Sequence, residues 1–313
     1  MMSILDTSLI AGSGFLVNLL SGRFLSTENY GLFIALYTFA SLSLIFQSTL
    51  VSNPFSILSQ SIENDKLTNY FSGTLLMTIG LGILLGIGSA LGGLLYLRGV
   101  KKVVILSLIF ISYIFFNLLQ DFLRRYFYSL QQERQALLLD LISYGGQVTA
   151  ILCAGHSLQL HQLFFFLTST TILALLTSII LNRHLIFPLA AFQQWPNAFK
   201  EAFTANWKLG RWLLFSSSLS WTANQFYILA LGLWQSPTVV AQLNAARTLA
   251  AASNPLVLAY EAIGLPRMAK ALDTHGISVV KHYVNRTAVL GGANHLYNLR
   301  KIIWGNLFTC QDL

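Results

Sequence analysis

The chain has 313 residues, of which 55% are hydrophobic and 10% charged, with a mean hydropathy of +0.62. That leaves too little polar surface to coat a water-soluble globule, which excludes a soluble enzyme and makes a bilayer the natural solvent. The net charge of +8 comes without the clustered basic and aromatic residues on a polar domain that nucleic-acid binding requires. No nucleic-acid partner is expected, and attraction of basic loops to anionic membrane lipids accounts for the charge.

A spanning helix needs about 20 mostly apolar residues. Eight such runs occur, over roughly 8–25, 31–57, 73–97, 103–123, 135–153, 162–182, 212–234 and 238–264. They are continuous and rich in Leu and Ile rather than alternating, so the fold class predicted is all-α, a polytopic membrane helix bundle. The opening MMSILDTSLI carries no Lys or Arg and no cleavage site of small residues follows it, so the first run is expected to stay in place. Within that run Asn18 and Arg23 lie about 140° apart around a helix. Arg23 is expected to snorkel to headgroups or pair with Glu28, and Asn18 to hydrogen-bond a neighbouring helix.

In the second run, Gln47 and the Asn53–Pro54 pair mark an expected bend, because proline leaves a carbonyl unbonded. Gly82, Gly86, Gly88 and Gly92 in the third predict close helix packing. Around the fourth and fifth runs, Asp121, Arg124, Arg125, Glu133, Arg134 and Asp140 form the densest charge group. Asp121 and Arg125 have i,i+4 spacing, and Asp140 can reach back to Arg124, which reads as a clasp. The sharper reading makes Asp121, Arg124, Arg125 and Asp140 a gate or a proton-coupling site. His156 and His161 stand without a third ligand, and Cys153 and Cys310 define no disulfide framework. No metal, no cofactor and no Walker-type ATP loop are expected.

Basic residues orient the chain: twelve fall in the loops after the second, fourth, sixth and eighth runs, against four in the others. This places the N-terminus in the cytoplasm. The long connection 183–211 spaces Trp195, Phe199, Phe203 and Trp207 by four, with Lys200 and Lys208 off that stripe, and predicts an amphipathic helix on the cytoplasmic surface. The predicted organisation is a six-helix lobe over 1–182, this linker over 183–211, two spans of a second lobe over 212–264, and a tail over 265–313. In the last run, Asn244, Arg247, Asn254 and Glu261 fall on one helix side. A side of amides and charges is costly against lipid, so these four are the substrate-binding candidates. The alternative for Arg247 is an ion pair or hydrogen bond inside the bundle.

Several stretches carry a resemblance. GRFLSTENYGLF, then FQSTLVSNP, then QDFLRRYFYSLQQERQALLLD, and above all NWKLGRWLLFSSSLSWTANQF with SPTVVAQLNAARTLAAASNPL, resemble bacterial polysaccharide flippases of the multidrug/oligosaccharidyl-lipid/polysaccharide exporter superfamily. The resemblance covers about residues 5–290. It implies a MATE-like arrangement of two six-helix lobes, and flipping of an isoprenoid-pyrophosphate-linked oligosaccharide for surface polysaccharide or lipopolysaccharide assembly. Six spans plus two are present here, and GGANHLYNLRKIIWGNLFTCQDL holds no further apolar run of spanning length, so a truncated family member, inactive alone, is also an expectation. Alternatives are a cation-coupled drug antiporter of the same superfamily using Glu261 or Asp140, or a membrane glycolipid enzyme. The enzyme would need carboxylates or histidines gathered at one membrane face, which the sequence does not supply, so no enzymatic activity is expected. No residue points to a partner subunit.

Overall fold

A computed structural model describes residues 2–60, 62, 64–97, 103–182 and 195–251. Among them there is no strand, and eight helices follow one another. They are α1 (Met2–Phe24), α2 (Thr27–Leu58), α3 (Asn64–Leu94), α4 (Val103–Ser129), α5 (Glu133–Ser157), α6 (Leu160–Leu181), α7 (Trp195–Trp234) and α8 (Pro237–Ala251). Five of these, α2 to α6, are long and apolar enough to cross a membrane. The protein is an all-α, multi-pass membrane bundle. Residues 1–248 form one compact unit; of a second, 249–313, only the end of α8 is among the described residues.

Local chemistry sets the helix starts and bends. Ser26 caps α2 by accepting the Asn29 amide at 3.3 Å, and Gln159 and Gln162 form a reciprocal capping box at the start of α6. The bend expected at Asn53–Pro54 is a π turn over Ser48–Ser52 just before the proline. Pro54 cannot donate to the carbonyl four residues back, and a widened turn absorbs the mismatch. The Ser48 and Thr49 hydroxyls donate to the Ile45 carbonyl at 3.0 and 2.7 Å. A second π turn, Leu141–Gly145, interrupts α5.

The interior is layered along the helix axes. One apolar cluster takes Leu32, Phe33 and Leu36 of α2, Phe110 and Ile114 of α4, Ile151 of α5 and Leu163 and Phe164 of α6. A second takes Phe55 of α2, Phe71 and Met77 of α3, Phe122 and Phe127 of α4, Leu139 of α5 and Ala174 of α6. On each helix the residues between the two clusters are polar and buried: Ser43 and Gln47, Thr78 and Ser89, Gln120 and Asp121, Asp140, Ser143 and Gln147, Thr168 and Thr171. Ser43 bonds Ser89 at 3.0 Å and Gln47 Nε2 donates to Thr78 at 3.2 Å. Apolar packing alone does not distinguish helix neighbours from lipid, so these interhelical bonds contribute register and partner choice as well as energy.

Small residues let the helices approach. A Cβ added at Gly82 or Gly86 would meet Phe115 or Ile111 of α4 at 3.0 and 3.3 Å, and one at Gly92 would meet Phe39 of α2 at 2.8 Å. Close packing by these three glycines matches the sequence reading, whereas Gly88 faces open space. The largest departure concerns α7. The surface helix and the seventh span, separated at 211 in the sequence reading, are one unbroken helix of 40 residues among the described residues. No Pro or Gly pair interrupts the helix signal between Asn197 and Trp234, so nothing forces a break there. Its aromatic stripe faces away from the bundle: Ala198, Ala202, Asn206 and Gly210 are buried while Phe199, Phe203 and Trp207 are exposed. Backbone-to-backbone approach demands small side chains, so the small stripe wins the protein contact. The side chain of Trp195 lies outside the described residues.

Candidate functional site

Two groups of polar residues stand out, one on α7 and α8 and one inside the bundle. On α8, Val240 and Ala241 bury into the core and carry Asn244 with them. Asn244 Nδ2 donates to Tyr30 Oη at 2.8 Å and to Asn18 Oδ1 at 3.1 Å, while Tyr30 Oη donates to Asn18 at 2.5 Å. The node ties α1, α2 and α8 together. Asn18 thus makes the helix–helix bond expected of it, and Asn244 is used up in packing rather than displayed to a ligand. Arg23 lies over the Phe24 ring at 5.9 Å, and no ion pair with Glu28 forms among the described residues.

Arg247, three residues on, is exposed, and its Nη1 donates to Gln225 Oε1 of α7 at 2.9 Å. Among the described residues it has no carboxylate partner. Exposed Ser216, Ser220, Thr222 and Asn224 occupy the same stretch of α7 as Gln225. Thr222 and Asn224 satisfy themselves by donating to the carbonyls of Ser218 and Ser220, each at 2.8 Å. Arg247 spends one of its five N–H donors on Gln225, which makes it the richest source of donors there. The remaining two substrate candidates, Asn254 and Glu261, lie outside the described residues.

Inside the bundle, Arg124 is shared between two carboxylates. Its Nη2 reaches Asp121 at 2.5 Å and its Nη1 reaches Asp140 at 3.4 Å. The reach from Asp140 to Arg124 is as expected from sequence. The i,i+4 partner is not: Asp121 pairs with Arg124 at i,i+3, and Arg125 Nε is buried without a hydrogen-bond partner. Positions three and four apart compete for one face, and only Arg124 also faces Asp140. The charges are held by neutral donors that the charge pattern did not single out. Gln120 Nε2 donates to Asp140 at 2.7 Å, Ser143 donates to Gln120 Oε1 at 2.9 Å and lies 3.2 Å from Thr171, and Ser52 donates to Asp121 at 2.6 Å. Tyr128 donates to Asp6, a carboxylate 1% exposed whose other oxygen has no partner. The signal for these lay in plain view as isolated polar residues inside apolar runs.

The node around Asn244 gives a first expected result. Asn244→Leu and Tyr30→Phe each remove two of the three bonds, but only Asn244→Leu unties α8 from both α1 and α2, so it is expected to lower stability by about 1 kcal/mol and Tyr30→Phe, which leaves the Asn244–Asn18 bond in place, by less. Titration with a denaturing detergent, followed by helical circular dichroism, ranks the two. Equal stability of Asn244→Leu and the unaltered protein would remove the node's role in holding α8. The group of His, Cys, Asp and Glu needed for a metal ion does not occur among the described residues. No protein-family model, no curated protein and no solved structure matches the chain.

Proposed function

We propose that this is a multi-pass carrier of a bacterial cytoplasmic membrane, N-terminus inside, that flips an isoprenoid-pyrophosphate-linked oligosaccharide to the outer leaflet for surface polysaccharide or lipopolysaccharide assembly. Its cargo brings a sugar chain and an anionic diphosphate into a medium that hydrates neither, so the path must offer hydrogen bonds and positive charge. The observation that carries the reading is Arg247: an exposed guanidinium on α8, steadied by Gln225 of α7 and free of any carboxylate among the described residues. A planar guanidinium grips two phosphate oxygens at once, and the surrounding serines and Asn224 suit hydroxyl-rich sugars. Resemblance of the α7–α8 stretch to polysaccharide flippases supports the same cargo.

The test is binding of a short-chain isoprenoid pyrophosphate disaccharide to the purified protein, with the neutral isoprenol as reference. Arg247→Ala weakens the pyrophosphate ligand about tenfold to a hundredfold, the worth of a charge-assisted bond, and leaves the neutral lipid unchanged. Arg247→Lys falls between, because an ammonium keeps the charge and loses the two-point grip. Unchanged pyrophosphate affinity in Arg247→Ala removes the basis of the reading.

A second reading, cation-coupled antiport, is favoured by the buried cluster. Asp121 and Asp140 share one guanidinium, so the group carries one negative charge too many for a site taken out of water. A proton or another cation would balance it. Flux that follows an imposed pH or sodium gradient and is lost in Asp140→Asn would favour this coupling.

A further inference from the structure

The charged, N-terminal part of α7 offers a surface that the transport reading leaves unused. From Ala198 to Trp212 a spacing of four sorts its residues into parallel stripes, three of which matter here. Ala198, Ala202, Asn206 and Gly210 are buried against the bundle: Ala198 and Ala202 meet Gly73 of α3, Gly210 lies against the Thr49 carbonyl of α2, and Tyr70 donates to Asn206 at 2.6 Å. Beside them run Phe199, Phe203, Trp207 and Arg211, and beyond these Lys200, Thr204, Lys208 and Trp212. All eight are exposed.

The aromatic stripe is ordered. Phe199 stacks on Phe203 at 6.1 Å and 17°, Phe203 on Trp207 at 6.0 Å and 9°, and Arg211 caps the Trp212 ring at 5.6 Å. Here the polarity of α7 changes. Lys200, Glu201, Lys208 and Arg211 precede Trp212, and no charge follows as far as Trp234, a stretch of about 34 Å that matches the seventh span expected from the sequence. Tryptophans at such a boundary sit at headgroup depth, where an apolar ring meets a wet layer. The charge beside them is three cations against the one carboxylate of Glu201.

We infer that the outward stripes of α7, Phe199 to Trp212, form a binding surface for anionic phospholipid, with Lys200, Lys208 and Arg211 drawing in headgroup phosphates and the aromatic stripe, with Trp212, packing against the headgroup and glycerol layer. A zwitterionic lipid gains the ring contacts but carries its own ammonium, which cancels most of the attraction. The site therefore selects by charge. Because the small stripe clamps α7 to α2 and α3, the basic stripe is presented already rigid, and little ordering cost opposes binding.

Quenching of tryptophan fluorescence by brominated lipid reads this directly. In phosphatidylcholine vesicles, brominated phosphatidylglycerol quenches the protein more efficiently than brominated phosphatidylcholine at equal fraction. The preference is about fivefold for each basic side chain that reaches the phosphate, and salt lowers it. Trp207→Phe with Trp212→Phe removes the selective part of the signal, since the reporter rings are then gone. The combined K200Q/K208Q/R211Q variant, whose altered side chains are exposed, keeps its helical spectrum and quenches equally with both lipids, while K200R/K208R retains the preference. Equal quenching of the unaltered protein by the two lipids, or undiminished preference in the glutamine variant, overturns the proposal. Neither outcome bears on pyrophosphate binding at Arg247, which is read separately.

Discussion

Replacing Arg124 with methionine lowers the stability of the bundle by about 3–5 kcal/mol, the cost of leaving buried carboxylates without their cation. Asp140 is 0% exposed and Asp121 is 9% exposed, and each keeps a neutral donor after the change, Gln120 for the first and Ser52 for the second. Those donors satisfy lone pairs but supply no charge. Neutralising the carboxylates as well should recover most of the loss, so the triple variant R124M/D121N/D140N stands close to the unaltered protein. Denaturing-detergent titrations of the single and triple variants, read by helical circular dichroism, give both numbers from one experiment. A single variant as stable as the unaltered protein would show that water or lipid headgroups already screen the pair; a triple variant no better than the single would assign the loss to packing by the arginine stem.

Much of this arrangement is legible in the amino-acid sequence, for identifiable reasons. The number and placement of the helices follow from apolar runs of spanning length, and α2 to α6 fall where those runs lie because hydrocarbon leaves the backbone few other choices. Asn18, Gln47 and the glycines of α3 are readable because a polar or missing side chain in such a run has few uses. What the sequence conceals is which of two adjacent faces wins. On α7 the aromatic stripe has the stronger hydrophobic signal, yet the buried face is the small one, since association inside a membrane rewards close backbone approach rather than burial of area. On α4, spacing alone allows Asp121 to choose Arg124 or Arg125, and the choice is made by Asp140 from another helix. Asn244 and Arg247 share a helix side in projection, but the node with Asn18 and Tyr30 takes one and leaves the other exposed. Each of these outcomes depends on a neighbour distant in sequence, where periodicity carries no information.

The clamp on α7 yields the second large effect. Gly73 is buried, and a side chain there would run into the Ala198 backbone, with the Ala202 methyl 2.9 Å from its first carbon. Because the obstacle is main chain, no rotamer change relieves it and the helices must separate. Gly73→Leu is therefore expected to cost about 3 kcal/mol, as α7 moves away from α3, breaks the Tyr70–Asn206 hydrogen bond and lifts Gly210 off the Thr49 carbonyl. Gly80, two turns on along the same helix, faces open space and is exposed, so Gly80→Leu gains helix propensity of up to about 1 kcal/mol and meets nothing. The two leucines differ in direction although both replace glycine in one helix with the same residue. Detergent titration measures that difference, and a disulfide engineered between α3 and α7, formed readily in the parent and slowly in Gly73→Leu, locates it. Since the small stripe fixes which way Lys200, Lys208 and Arg211 point, Gly73→Leu should also erode the preference for phosphatidylglycerol even though every basic residue is intact. Normal lipid selectivity in a Gly73→Leu protein with a loosened α7 would mean that charge alone, without the preset geometry of the stripes, recruits the lipid.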